Sequence, residues 1–170
     1  MKKISGYYPL WRIFDLERLM DGEEGFVLTK LGQFSCTFRE DDAAKGNIFR
    51  IGACLCRKGS ADEVRYVTEW QKKGWEKFYA VGRLLFFRAP QGTPLPEDDG
   101  LPALLKKEIR WREKVRNIML ILAALCMIIG YPMEGFTVVR LAAIPLLIAL
   151  PLTWEASKLQ KAAAQCENRT

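Results

Sequence analysis

Residues 69–90 read EWQKKGWEKFYAVGRLLFFRAP, and residues 17–40 read ERLMDGEEGFVLTKLGQFSCTFRE. In each, a helix-like run breaks at a glycine, an aromatic follows, and the stretch closes on Phe-Arg. With Gly25-Phe26 laid over Gly74-Trp75, the offset is 49 residues, and Phe38-Arg39 falls on Phe87-Arg88 at the same offset. Upstream of each glycine lies an amphipathic pattern. Ile13, Leu16, Leu19 and Met20 share one helix face, and Val64, Val67 and Trp70 share another. Ser60 and Asp62 are natural caps for the second helix, with Glu63 near its positive end. A glycine ends a helix well because a left-handed residue costs it little. The run after it is extended, turns near Gly32 or Gly82, and returns as a second strand.

An extended run also precedes each helix, KISGYYP near the start and NIFRIGACLC at 47–56. The unit is therefore strand–helix–strand–strand, used twice. The expected fold is α+β: one antiparallel sheet with two helices on one face. Two origins fit the repetition, internal duplication or convergence on a common helix–hairpin pattern.

Residues 62–90, with the helix, the Gly74-Trp75 step and the closing Phe86-Phe87-Arg88, resemble the bacterial domain of unknown function 2812 family. The resemblance covers roughly residues 4–90. The first half departs from the family pattern, with Arg18-Leu19 where members have a tryptophan-leucine pair. The resemblance implies no activity and no catalytic residues. It does imply membrane segments after the domain, and a gene neighbourhood with PadR-type regulators. That in turn suggests regulation of envelope or drug stress.

The chain has 170 residues and a net charge of +6. Residues 1–100 contribute +1 and residues 101–170 contribute +5. A surplus placed beside the most apolar stretches fits a membrane protein better than a nucleic-acid binder. Residues 90–100, PQGTPLPEDDG, read as a linker. Residues 101–116 read as a basic juxtamembrane helix, which either attracts anionic headgroups or only signals topology. Residues 118–131 and 141–152 carry no charge. They are expected to form a transmembrane helical hairpin over 117–154, with a cytoplasmic tail at 155–170. A buried hairpin, or one dipping into a single leaflet, are the alternatives. The flanking lysines and arginines place both termini in the cytoplasm and the protein in the bacterial inner membrane, crossing twice. Trp111 and Trp154 are the interface anchors. Glu134 and Arg140 are the ionisable pair of the hairpin, and Pro145 and Pro151 bend its second helix.

The chain contains no histidine, which removes the commonest general base and metal ligand. Its five cysteines form no CxxC pair and are expected as reduced thiols. Cys54 and Cys56, two apart on an extended run, are either small packing residues or a soft-metal or redox pair. The acidic triplets Glu40-Asp41-Asp42 and Glu97-Asp98-Asp99 lack the spacing of a calcium loop. Arg39 and Arg88, the repeated Phe-Arg arginines, are the candidate contact for an anion or a partner, against plain strand-end solvation. No P-loop, GxSxG or dinucleotide fingerprint is present. The expectation is an interaction or regulatory module, not an enzyme, with no metal and no cofactor. Its partners are membrane lipids and an unknown protein, not nucleic acid. A lipid- or ligand-binding sensor and a transporter accessory subunit are the alternatives.

Overall fold

The computed structural model describes residues 2–6, 8–23, 25–32, 35–96, 99–130 and 136–167, without the side chains of 43, 129–130, 136–142 and 167. It divides into two units, residues 1–104 with 162–170, and residues 105–161. In the first unit the order is β1 (Lys2–Ser5), α1 (Ile13–Gly22), β2 (Phe26–Leu31), β3 (Ser35–Glu40), β4 (Asn47–Ala53), α2 (Ala61–Lys72), β5 (Glu76–Val81) and β6 (Leu84–Pro90). A short 3-10 turn leads into α1 and another precedes β4.

The strands form two antiparallel three-stranded sheets, ordered β1-β3-β2 and β4-β6-β5, and not the single sheet expected. The two halves share their element order and the register of their hairpins, while the pairings of β1 with β3 and β4 with β6 differ by one residue at the same offset. Val27 pairs with Arg39 and Glu76 with Arg88, while Leu31 pairs with Cys36 and Ala80 with Leu85, all at the offset of 49. Each hairpin is interrupted by one register shift, at Leu28/Lys30 and at Lys77/Tyr79. The residues skipped, Thr29 and Phe78, are again 49 apart. A bulge is a specific local feature and not a general property of hairpins. Its recurrence at one repeat position favours duplication over convergence. The sheets touch where β2 and β5, the equivalent strands, come together, and the Leu31 N–H donates to the Tyr79 hydroxyl at 3.2 Å.

Helix α2 is closed at both ends by its own sequence. The Ser60 hydroxyl accepts from the Glu63 N–H, and the Glu63 carboxylate accepts from the Gly59 N–H. At the other end Gly74 adopts φ +92°, its N–H reaches the Gln71 carbonyl, and the Trp75 N–H reaches the Trp70 carbonyl. That is a Schellman closure, complete with its hydrophobic contact, since the Trp70 and Trp75 rings meet edge-on at 5.5 Å. Trp70 also stacks on Phe87 at 4.1 Å. Of the expected apolar face of α2, Val64 is exposed. In α1, Ile13, Leu16 and Met20 are buried as expected.

The segment after β6 bonds to the fold at Pro94 and at Asp99. Trp75 Nε1 donates to the Pro94 carbonyl, while the Asp99 carbonyl accepts from both the Tyr66 hydroxyl and the Ala53 N–H. Asp99 then caps the next helix through Leu101 N–H.

The second unit is built on α3 (Leu101–Gly130) and α4 (Phe136–Glu167), whose ends, 101–104 and 162–167, belong to the first unit. Arg112 joins the two helices, with Nε on Glu155 at 3.0 Å and a terminal nitrogen on Glu108 at 2.7 Å. The transmembrane hairpin expected here is not supported. No helix among the described residues is long and apolar enough to cross a membrane. The uncharged parts of the two helices are 117–130 and 141–154, 14 residues each. At ~1.5 Å per residue these run about 21 Å, short of a ~30 Å hydrocarbon core. The expected location, two spans in a bacterial inner membrane with cytoplasmic termini, falls with the hairpin.

Candidate functional site

Strand β4 ends at Ala53, and the chain turns through Cys54, Leu55 and Cys56 into the cap of α2. Cys54 and Cys56 are joined in a disulfide with a Cα–Cα distance of 5.2 Å. Two residues apart on a continuing strand would lie about 6.6 Å apart, near the limit for a bridge. Breaking the strand at Ala53 brings the pair within easy range. The Cys54 N–H still bonds across to the Arg83 carbonyl, in the turn between β5 and β6. Within the pair, the Cys56 N–H points at Cys54 Sγ at 3.4 Å.

The two cysteines differ in burial. Cys54 is buried against Trp70, Trp75, Leu85 and Phe87, whereas Cys56 is half-buried. Both line a recess with about 30 Å³ of room, roughly one water's worth. Lys58 and Arg83, both exposed, stand at its rim, and Glu63 is its acid. Glu63 is already engaged. It accepts from the Gly59 N–H and pairs with Lys77 at 3.1 Å, and these contacts hold its carboxyl below the ordinary value. The Lys58 and Arg83 cations therefore give the recess a positive rim.

The remaining thiols are Cys36, Cys126 and Cys166. Cys36 is fully buried, and desolvation pushes its thiol up to about 11. The reading of all five cysteines as reduced thiols is thus corrected for Cys54 and Cys56. The spacing C-x-C was the available signal. What it lacked was the point where β4 stops.

The other expected site residues are dispersed. Arg39 is exposed on β3. Arg88, on β6, is clasped by Glu76 at 2.8 Å and Asp41 at 3.0 Å, contacts that raise its pKa against the cost of burial. Its charge is committed inside the fold. Trp111 and Trp154 are both exposed on the helical unit, with Lys158 Nζ 5.4 Å from the Trp154 ring centroid. Glu134 lies outside the described residues, as do Glu97, Asp98 and the Arg140 side chain. Among the described residues no cluster of His, Cys, Asp or Glu is arranged to hold a metal ion.

Comparison with protein-family models, with curated proteins and with solved structures returns no match.

Proposed function

We propose that the chain is an interaction module, and that its helical unit docks an apolar helical surface of another polypeptide. The observation behind this reading is where the exposed large hydrophobic residues fall. Among the described residues there are 17, and 14 of them lie in residues 105–161. Ile121, Ile128, Leu147 and Leu150 are each more than 60% exposed. On α3, Ile118, Ile121, Leu125 and Ile128 follow the three-four spacing of a helix seam, and on α4 Leu147, Leu150 and Trp154 do the same. Isolated exposed apolar residues are ordinary, but contiguous seams of this size mark binding surfaces.

In the purified protein the occupant always at hand is a second copy of the chain. Sedimentation of the full-length chain is expected to show self-association that weakens on dilution. Ile121→Glu with Leu147→Glu, both on exposed positions, should yield a monomer that keeps its near-ultraviolet circular dichroism. A wild-type chain that stays monomeric at high concentration, with α3 and α4 amides exchanging freely, would sink the reading. The resemblance to the domain 2812 family gives such an interaction a regulatory setting.

A further inference from the structure

We infer that Cys54 and Cys56 form a stoichiometric thiol–disulfide exchange site for a small anionic thiol. The inference stands apart from the docking surface, since it rests on the β4–α2 junction. Three features carry it. The disulfide is bordered by a recess, so an outside sulfur can reach it. Its two cysteines are unequally buried, with Cys56 the less buried. The rim carries the exposed cations Lys58 and Arg83, while Glu63 is held by Lys77 and Gly59.

The chemistry follows from that asymmetry. An external thiolate attacks Cys56 Sγ, the S–S bond breaks, and the electron pair leaves on Cys54 Sγ. The Cys56 N–H, 3.4 Å from Cys54 Sγ, is placed to donate to that thiolate. Lys58 and Arg83, at the rim, attract the incoming thiolate. A second external thiol then attacks the mixed disulfide on its outer sulfur and releases Cys56. The net change is one protein disulfide and two thiols converted to one protein dithiol and one small-molecule disulfide. The two protons lost by the external thiols reappear, through solvent, on Cys54 and Cys56. In reverse, Cys54 closes on the mixed disulfide at Cys56. The recess is small, so the body of the co-reactant lies against the rim. That rim favours a carboxylate-bearing thiol over a cationic one.

The test uses the full-length protein in glutathione buffers of stepped ratio, followed by alkylation and intact mass. Two of the five cysteines are expected to change together and reversibly, with the near-ultraviolet spectrum retained. Cys56→Ser should abolish that two-thiol step. Reduction by glutathione, compared per thiolate with cysteamine, should be about tenfold faster at low salt. High salt should erase that preference, and so should Lys58→Gln with Arg83→Gln. A pair that is reduced only in denaturant, or that stays as two free thiols in oxidising buffer, overturns the site. Equal rates for the two reagents, unmoved by the rim substitutions, overturn the anionic co-reactant.

Discussion

The two strand–helix–strand–strand halves share a hairpin register and a bulge, yet they hold their helices in different ways. Positions 17 and 21 of α1 correspond to positions 66 and 70 of α2 at the common offset, and all four residues converge on strand β4. In the first half they are Glu17 and Asp21, whose carboxylates accept from the Ile51 N–H at 2.8 Å and the Phe49 N–H at 2.7 Å. In the second they are Tyr66 and Trp70, packed over Gly52, where an added Cβ would meet the Trp70 ring at 2.9 Å. β4 is an edge strand, and its outward N–H groups at 49, 51 and 53 go to Asp21, Glu17 and the Asp99 carbonyl. An open edge invites pairing with another chain, and here it is covered from within. One repeat thus supplies the polar closure of that edge, and the other supplies the aromatic core beneath it.

The largest effect should come from the aromatic side of this division. Trp70→Ala is expected to cost about 3–5 kcal/mol, the usual range for deleting a buried large aromatic. Trp70→Phe keeps the stack on Phe87 and removes an indole N–H that is buried without a partner, so its loss should be clearly smaller. Urea unfolding of both variants measures the difference. Equal losses would show that the stack contributes little.

The polar side should follow. Glu17 is 3% exposed. Glu17→Ala leaves the Ile51 N–H without its acceptor, at about 1–3 kcal/mol. Glu17→Gln retains a carbonyl oxygen for that bond and should recover part of the loss. Hydrogen exchange sharpens the comparison, because the alanine variant should lose protection at Ile51 while α2 stays protected. Uniform loss across both helices would mean that the halves unfold as one and that the division of labour is only geometric.

The same division explains what was legible beforehand. The second half is encoded locally. Its cap at Ser60, its stop at Gly74 and its aromatic at Trp75 lie within a few residues of one another, so the pattern read directly as helix, turn and hairpin. The first half closes through bonds that span 28 and 34 residues, Asp21 to Phe49 and Glu17 to Ile51. Acids on a helix read simply as its solvated face, and nothing near them names a strand edge. Two sheets in place of one follow from the same cause, because pairing between distant strands is set by tertiary contacts. The disulfide was obscured by the end of β4. The apolar runs of α3 and α4 carry no charge and so suggest spans, but each is only 14 residues long. Arg88 pairs with Asp41 across 47 residues, so nothing near it in sequence names that partner.

The smallest effects test whether α2 is self-contained. Ser60→Ala removes the acceptor for the Glu63 N–H and should cost about 1 kcal/mol. α1 has no side-chain bond at its N-cap, Arg12, whose side chain pairs with Asp15 at 2.8 Å instead, so the first half offers no equivalent cap to delete. Glu63 adds a pH signature. Its folded-state pKa is depressed below the ordinary 4.5, first by the Gly59 N–H and then by Lys77. A depressed carboxyl contributes stability that is fully present above its unfolded value and is lost as pH falls through the folded one. Wild type should therefore lose more stability than Glu63→Gln between about pH 5 and the acid limit of folding. Denaturant midpoints taken at several pH values decide this. Parallel curves for the two proteins would mean that the carboxylate's bond to Gly59 is replaced by water at no cost, and that the Ser60 hydroxyl alone starts the helix.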